Sequence, residues 1–442
     1  MRLRQLWLLF HRWGGLLLAI PLILVALTGS IIAFTKEVNR YVITPERYAI
    51  VQPGVPQLGL GVLAKQAQAL VLPGETILSI NVGADFANVR VQPQADTPAK
   101  VEKGGASKEA LVYAIWLDPW TGKVLARQYP VNGEPIRDNR LMRFFHALHD
   151  HLYLGRELNW VLGIIALLWT VDCFVSWYLT LPNSSKEFWR RWKPAWKIKA
   201  NASTYRLNFD LHRANGLWLW PILFVFAWSS VSLNLPQVYD PVTKAFFEYK
   251  SSKEQRAEMQ AQMAEQQKLA MQKFMVKTGE AQPGLEDIVA AAQRLAAEET
   301  ARQGFSVGHA ALVAFINRRA DSRLVNVSLR SGEERCQDIS EGKCTANFSF
   351  DGRNGEVFEW KVLGQAYEIP NEPTGNFLTR WMRILHFGQS LGLAYKIFVG
   401  ALGIIIAMLS ITGIYIWWKK RKARKHSQAK KAEADLAADV AT

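Results

Sequence analysis

The chain has 442 residues, 49% of them hydrophobic and 11% aromatic, and its formal net charge at pH 7 is +15. Its mean hydropathy of -0.02 averages long apolar blocks with polar stretches, a pattern that excludes one ordinary soluble domain and indicates a membrane protein with soluble parts. Much of the positive charge flanks the apolar blocks, where lipid headgroups are sufficient partners. We therefore expect membrane lipids and no nucleic acid as binding partners.

Four windows are apolar over about 20 residues, the length that crosses a bilayer core. They are the predicted spans 13–34, 158–181, 214–235 and 396–418. A cleaved signal peptide is the alternative for the first window, but its length and its internal counterpart, described below, favour a retained helix.

Basic residues orient these spans. They are concentrated in three segments: the N-terminus 1–12, the loop 182–213 and the tail 419–442. By the positive-inside rule all three lie in the cytoplasm, so both termini are predicted to be cytoplasmic. The long segments 35–157 and 236–395 then lie outside the cytoplasm.

The two outer segments share one plan of a helix followed by strands. In 35–157 an amphipathic stretch near 63–72 precedes alternating residues at 77–91 and a hairpin that turns at 118–122. In 236–395 a helix near 285–303 precedes strands at 311–317 and 324–329 and a hairpin at 347–360. Each segment is predicted to form a small α+β unit, and residues 251–282 read as an inserted, solvated helix.

Two cysteines lie in the second outer segment. Cys336 and Cys344 are eight residues apart in a polar stretch, and an oxidising compartment permits a disulfide there. The alternatives are two free thiols or a metal pair, although no further Cys or nearby His completes a tetrahedral site.

The chain repeats itself. His11, Arg12, Gly15 and Leu16 recur with the same spacing, and so do Leu148 and His149; the second copies are His212, Arg213, Gly216 and Leu217, and Leu385 and His386. Long-period self-similarity indicates duplication of a structural unit. Four of the eight histidines are repeated ones.

The repeated histidines fall into two pairs. By the predicted topology His11 and His212 stand at the cytoplasmic entrances of their helices, and His149 and His386 stand at the outer ends. In a two-fold pseudo-symmetric bundle equivalent residues face each other, and two opposed imidazoles can bracket the iron of a haem. The alternative is that each histidine only hydrogen-bonds headgroups or loop carbonyls.

Three further residues have a secondary place in this hypothesis. His146 and His151 have no histidine counterpart in the repeat, so they could tune the site, relay protons or bind substrate; together with His149 they could also form a zinc or copper site. Asp172 is costly within an apolar span, which favours a functional role or a helix–helix hydrogen bond.

Small residues in the first span are assigned a packing role. Gly14, Gly15 and the pair Thr28-Gly29 allow close helix contact, and Pro21 is tolerated in spanning helices.

The chain resembles the PepSY-associated transmembrane family. The resemblance rests on the His-Arg-x-x-Gly-Leu openings, the two Leu-His pairs, the Thr-Gly pairs at 28–29 and 412–413, and hairpins similar to Asp-x-x-Thr-Gly-x-Val at 118–124 and 351–357. It covers nearly the whole chain. The departures are Ser229-Ser230 in place of Thr-Gly and the insertion 251–282.

Within that family the chain is most similar to the inner-membrane di-haem ferrisiderophore reductases of the FoxB type. The resemblance implies a membrane four-helix bundle of two pseudo-symmetric pairs with two periplasmic α+β PepSY-like domains, in a bacterial inner membrane. It also implies two haem b groups, with His11 and His212 as axial ligands on the cytoplasmic side and His149 and His386 on the periplasmic side.

The function that the resemblance implies is reduction of a ferric siderophore or another Fe(III) chelate in the periplasm. The loop between the second and third spans has no room for a nucleotide-binding domain, so the electron donor would be a separate quinol or cytoplasmic reductase. The alternatives are a non-enzymatic peptide-binding or regulatory protein and a transporter of haem or siderophore.

Overall fold

The computed structural model describes residues 3–83, 85–93, 112–129, 140–274, 284–303, 312–318, 323–330, 345–363, 372–388 and 391–440. Its helices are α1 (Leu3–Ile32), α2 (Thr35–Val38), α3 (Leu60–Leu70), α4 (Arg140–His151), α5 (Asn159–Thr180), α6 (Phe188–Trp192), α7 (Thr204–Trp218), α8 (Trp220–Asn234), α9 (Pro236–Phe246), α10 (Ser252–Phe274), α11 (Leu285–Gln303), α12 (Thr374–Phe387) and α13 (Gly392–Val440). The strands are β1 (Thr76–Val82), β2 (Ala87–Gln92), β3 (Tyr113–Leu117), β4 (Val124–Gln128), β5 (Leu312–Arg318), β6 (Leu324–Arg330), β7 (Thr345–Asp351) and β8 (Val357–Leu363).

The chain divides into two compact units, each built from separate stretches of sequence. The helical unit contains Met1–Thr35, Arg140–Ser252 and Glu372–Thr442, and the sheet unit contains Lys36–Asn139 and Lys253–Asn371. The chain therefore leaves the helical unit twice and returns to it twice, as a duplicated sequence requires.

The described residues of the sheet unit form one antiparallel sheet of eight strands in the order β4-β3-β2-β1-β5-β6-β7-β8. Its two halves are meanders that meet where Ser79, Ile80 and Asn81 of β1 pair with β5. Each meander follows its own helix, α3 or α11, which confirms the predicted order of one helix followed by strands. The two outer segments are nevertheless joined in one sheet, whereas the sequence suggested two separate domains.

A shared core explains why the halves join. Alternate residues of the strands are buried, as in Ile80 of β1, Val89 of β2 and Phe350 of β7, and they pack beneath α3 and α11. Leu63 of α3 and Val289 of α11 belong to the same core. A half-sheet with one helix would leave part of this apolar face in water, and joining the halves covers it.

The predicted inserted helix is present as α10. It shows no apolar stripe, and Lys273 near its end forms an ion pair with Glu356 of the second meander. The disulfide predicted for Cys336 and Cys344 lies outside the described residues.

Within the part of the chain that the structure describes, three helices are individually long and apolar enough to span a membrane, namely α1, α5 and the Gly392–Ala429 part of α13. A fourth candidate is the pair α7 and α8, which passes the same test as a pair but bends by 71°. The helical unit thus has three continuous candidate spans and one broken pair, and the four-helix bundle stays a prediction.

Proline causes the break in the fourth candidate span. Pro221 stands in the first turn of α8 and has no N–H to donate to the carbonyl four residues earlier, so the ladder of helical hydrogen bonds stops there. Leu219 lies between the two helices and caps α7 by donating its N–H to the Asn215 carbonyl at 3.0 Å. The apolar run that begins at residue 214 therefore lies on two helices, and α7 begins ten residues earlier, at Thr204.

The helices of the first repeat pack against those of the second. Helix α1 packs along α13, and α5 packs along α8. Within the first repeat, Arg4 at the start of α1 donates hydrogen bonds to the carbonyls of Leu179 and Leu181 at the end of α5, so these two helices run in opposite directions. The amphipathic helices α4 and α12 precede α5 and α13 and pack on α1 and α8.

Candidate functional site

The four repeated histidines form two pairs in the helical unit. The ring centres of His11 on α1 and His212 on α7 are 6.1 Å apart, and their planes are inclined by 55°. The ring centres of His149 on α4 and His386 on α12 are 6.4 Å apart, with planes inclined by 75°. The structure thus brings together the residues that the sequence repeat pairs.

The two pairs lie at different levels along the helices. His149 hydrogen-bonds the carbonyl of Val25, which follows His11 by 14 residues on the same helix. At 1.5 Å per residue this places the second pair roughly 21 Å along α1 from the first. That distance is shorter than the hydrocarbon core, which is about 30 Å thick.

Equivalent positions of the two repeats hold the second pair. His149 Nδ1 lies 2.8 Å from the Val25 carbonyl oxygen and 3.4 Å from the Thr28 hydroxyl. The corresponding positions of the second repeat are Phe226 and Ser229; the Phe226 backbone hydrogen-bonds His386, and Ser229 Oγ lies 2.7 Å from His386 Nδ1. The duplication therefore extends from the histidines to the groups that orient them.

The first pair is held by residues of the other two spans. His212 Nδ1 lies 2.9 Å from the carbonyl oxygen of Leu409 and 3.1 Å from the hydroxyl of Thr412, both on α13. His11 Nδ1 lies 2.8 Å and 3.0 Å from the two carboxylate oxygens of Asp172 on α5. Asp172 is buried, as its cost in an apolar span requires.

These contacts fix the tautomers of the rings. A carbonyl or carboxylate oxygen only accepts, so His11, His149 and His212 must donate from Nδ1. The Ser229 hydroxyl donates to the Phe226 carbonyl at 3.1 Å, which leaves Ser229 Oγ to accept from His386. In each neutral ring the lone pair is then on Nε2, the atom that can bind a metal.

The separations within the pairs suit two axial ligands of one ion. A metal–imidazole bond is about 2.0 Å long, and two such bonds on opposite sides of one ion, with the radii of both rings, place the ring centres roughly 6 Å apart. The observed 6.1 and 6.4 Å match this spacing. Both pairs, with Nδ1 engaged and Nε2 free to ligate, therefore fit bis-imidazole ligation of haem iron.

Burial keeps the second pair neutral, which is the form that ligates a metal. Burial lowers the pKa of His386 to about 3, and the His149 ring beside it lowers the pKa further. Burial lowers the pKa of His149 as well, against the opposing effect of its hydrogen bond to Val25.

Helix α12 holds His386 through contacts at its other end. The Asn376 side chain accepts a hydrogen bond from the Lys250 N–H and donates one to the Lys250 carbonyl, both at 2.8 Å. The Tyr239 hydroxyl of α9 lies 2.7 Å from that of Thr379. A Cβ at Gly375 would lie 2.9 Å from the Glu248 carbonyl oxygen, so a glycine permits this close approach.

The Thr-Gly pairs have a role that the sequence did not reveal. Thr28 contacts His149, and a Cβ on Gly29 would lie 2.8 Å from His149 Cε1. Thr412 contacts His212, and a Cβ on Gly413 would lie 3.2 Å from His212 Cε1. The packing role assigned to Thr28-Gly29 was therefore incomplete, because the threonine binds a histidine and the glycine leaves space for its ring.

The three residues with a secondary place in the haem hypothesis, Asp172, His146 and His151, have different surroundings in the structure. Asp172 contacts His11, whereas His151 Nδ1 is buried and has no hydrogen-bond partner among the described residues. His146 lies close enough to His149 to influence its pKa. Among the described residues no group of three or more His, Cys, Asp or Glu side chains is placed to hold a metal ion. The alternative zinc or copper site at His146, His149 and His151 therefore has no geometric support in this part of the chain.

The fold and the site define an integral membrane protein whose duplicated helices hold two pairs of half-buried histidines. The family profile of the PepSY-associated TM region matches residues 8–420, and the chain belongs to that family. A comparison with curated proteins gave no match.

Proposed function

We propose that this protein is a di-haem electron-transfer protein of a bacterial inner membrane that reduces a ferric siderophore or another Fe(III) chelate in the periplasm. The observation that carries the proposal is the presence of two histidine pairs with ring centres 6.1 and 6.4 Å apart. One haem b would be held by His11 and His212, and a second by His149 and His386. When bound, such a group would supply reversible one-electron chemistry, with two imidazoles of this chain as the ligands of its iron.

The chain's own residues hold and orient these ligands. Val25, Asp172 and Leu409 accept the Nδ1 protons of three rings, while Ser229 accepts that of the fourth. Phe226 stacks on His386 with ring centres 4.7 Å apart and planes inclined by only 19°, which restricts rotation of that imidazole. Rings fixed in this way change little when the charge of a bound iron changes, and a low reorganisation cost favours electron transfer.

Reduction is a chemically sensible way to release iron from a chelate. Hard oxygen ligands bind Fe(III) more tightly than Fe(II), so addition of one electron weakens the complex. The described residues between α5 and α7 form only α6 and a short 3-10 turn, which offer no nucleotide-binding domain. The electron donor is therefore proposed to be a separate molecule, a quinol or a cytoplasmic reductase.

The first test is the haem content of the purified protein. We expect about two haems per chain from oxidised and dithionite-reduced spectra of protein from haem-replete cells. His11→Ala and His212→Ala should each lose the same haem, and His149→Ala and His386→Ala the other, because each variant removes one axial ligand. His426→Ala serves as the matched control, since His426 is exposed on α13 and outside both pairs.

The absence of a Soret band in haem-replete cells would overturn the electron-transfer proposal. If the protein binds two haems but its reduced form does not reduce ferric chelates, the proposed haem sites stand and the proposed substrate is wrong.

A further inference from the structure

Three of the four paired histidines donate a hydrogen bond to a neutral group, and the fourth donates to a charged group. His149, His212 and His386 donate from Nδ1 to carbonyl and hydroxyl oxygens, all of them neutral groups. His11 donates instead to a carboxylate, that of Asp172. Position 172 corresponds in the repeat to Leu409, whose backbone carbonyl performs the same task for His212. A neutral acceptor was thus available to this architecture, and a charged side chain takes its place in one repeat only.

The cost of that side chain is considerable. Asp172 is the only Asp, Glu, Lys or Arg between Asn159 and Thr180, it is buried, and α5 is a candidate membrane span. A charged group in hydrocarbon is expensive, and such residues usually serve a function. Within the described part of the chain its side chain hydrogen-bonds His11, so His11 is the ligand on which its charge acts most directly.

A carboxylate changes what the imidazole does to a bound iron. When the second nitrogen of a ligating histidine donates to a carboxylate, the ring becomes a more basic ligand. A more basic ligand with a negative charge behind it stabilises Fe(III) over Fe(II), and a low-dielectric surrounding strengthens the effect. A carbonyl or hydroxyl acceptor does so less because it has no net charge.

We propose that Asp172 is a positioning residue that, through His11, lowers the reduction potential of the haem at the His11 and His212 pair below that of the haem at the His149 and His386 pair. This inference rests on the proposed function. The transferred electron then leaves an Fe(II) at the first pair, which becomes Fe(III), and reduces an Fe(III) at the second pair to Fe(II). The difference in reduction potential makes transfer from the first haem to the second thermodynamically favourable, so Asp172 sets the direction of electron transfer.

The experiment measures reduction potentials and is independent of enzymatic activity. Spectroelectrochemical titration of His386→Ala, which retains the first haem, and of His11→Ala, which retains the second, gives one potential for each pair. We expect the lower potential in His386→Ala. Adding Asp172→Asn to the His386→Ala background should raise the potential by at least 59 mV, a tenfold change in a one-electron equilibrium.

Two matched variants separate tuning from a general structural effect. Asp172→Glu keeps the carboxylate and should remain nearer the parent potential than Asp172→Asn. Thr170→Val alters a buried hydroxyl two residues away that bonds only the Ala166 carbonyl of its own helix at 2.8 Å, and it should leave the potential unchanged.

The outcomes are distinct. Two haems per chain with equal potentials, or with the first haem at the higher potential, would overturn this inference while leaving the proposed function intact. An unchanged potential in Asp172→Asn would do the same. If Asp172→Asn fails to retain haem, the order of the two potentials in protein with Asp172 intact decides. Absence of haem from the unmodified protein would reject the proposed function itself.

Discussion

At the scale of single residues, small side chains determine how closely each histidine approaches the helix that supports it. Gly29 and Gly413 both lie against the Cε1 edge of an imidazole, and in each case the preceding threonine contacts Nδ1 of the same ring. One dipeptide thus supplies a hydrogen-bonding group and the space beside it. Near His386 the hydrogen-bonding group is the hydroxyl of Ser229, which is closer to Nδ1 than that of Thr28 is to His149.

Substitution of these glycines should therefore have graded effects. In Gly29→Ala the new methyl group would lie 2.8 Å from His149 Cε1, so the ring must move, and we expect loss of most of the haem at that pair. Gly413→Ala, at 3.2 Å from His212 Cε1, should lose less at the other pair. Gly15→Ala is the control because no atom lies within 4 Å of its Cβ. Haem per chain measures all three, and equal haem content in Gly29→Ala and Gly15→Ala would contradict the explanation.

The repeat in the sequence predicted the four histidines but not all of their partners. A repeat shows that His11 and His212 are equivalent, and two-fold packing then places equivalent residues near each other. It cannot show that Asp172 reaches His11, because 161 positions separate them and their contact depends on how α1 and α5 are rotated about their axes. The signal that the sequence did give was the position of Asp172 within an apolar span, where a charged side chain is costly.

At the scale of helices, close approach of the first and last spans depends on a stripe of small residues. Ser30 of α1 donates a hydrogen bond to the Gly400 carbonyl of α13 at 2.8 Å. Gly403 faces Ala26 and Ser30 so closely that a Cβ there would lie 2.5 Å from the Ala26 carbonyl oxygen. Small residues let spanning helices pack backbone to backbone, where van der Waals contact and hydrogen bonds replace the hydrophobic effect.

Gly403→Ala should accordingly destabilise the helical unit. Its methyl group meets backbone, which cannot rotate away, so α1 and α13 must separate by a few tenths of an ångström or more. We expect a loss of stability of about 1–3 kcal/mol, as for other overpacked sites, measured as earlier thermal aggregation in detergent. Gly216→Ala on α7 is the matched control, since nothing lies within 4 Å of its Cβ. Equal thermal stability of the two variants would show that the close contact is not needed.

The bend in the fourth span illustrates what an apolar run can and cannot predict. Hydropathy measures whether residues 214–235 tolerate lipid, and the pair α7 and α8 does pass the length and composition test for a membrane span. It does not measure hydrogen bonding, and Pro221 breaks the helix within that run. The consequence is local to the site, because His212 lies on α7, before the break, while Phe226 and Ser229 lie on α8, after it. In the first repeat α1 remains one helix from His11 to Thr28, although Pro21 lies within it.

At the scale of the whole molecule, both repeats of the duplicated chain contribute residues to the helical unit and to the sheet unit. The sequence indicated that each outer segment would contain a helix and a set of strands, and both do. Alternation within a strand predicts which face is buried, but it does not specify the strand that pairs at an open edge. Both β1 and β5 are edge strands of their own meanders, and each edge is covered because the two strands pair with each other. The alternation of residues within single strands therefore could not predict that the two halves pair through β1 and β5.

A core shared between the halves predicts that damage to one half will be felt in the other. Leu63 of α3 is fully buried in the core that also contains Val327 of β6 and Phe350 of β7. Leu63→Ala should destabilise the sheet unit by about 2–5 kcal/mol, because it leaves a cavity beneath both meanders. Hydrogen exchange of the whole chain should then accelerate in β6 and β7 as well as in β1 and β2, since the strands open as one cooperative unit.

The neighbouring residue of the same helix provides the control for that experiment. Val62 is 48% exposed, so Val62→Ala removes methyl groups that contribute little to the core and should leave exchange in all eight strands nearly unchanged. Acceleration confined to β1–β4 in Leu63→Ala would mean that the halves unfold independently, as two separate domains would. Joint acceleration would mean that the duplicated segments are stable only together, and that the β1–β5 pairing is what makes the sheet a single folding unit.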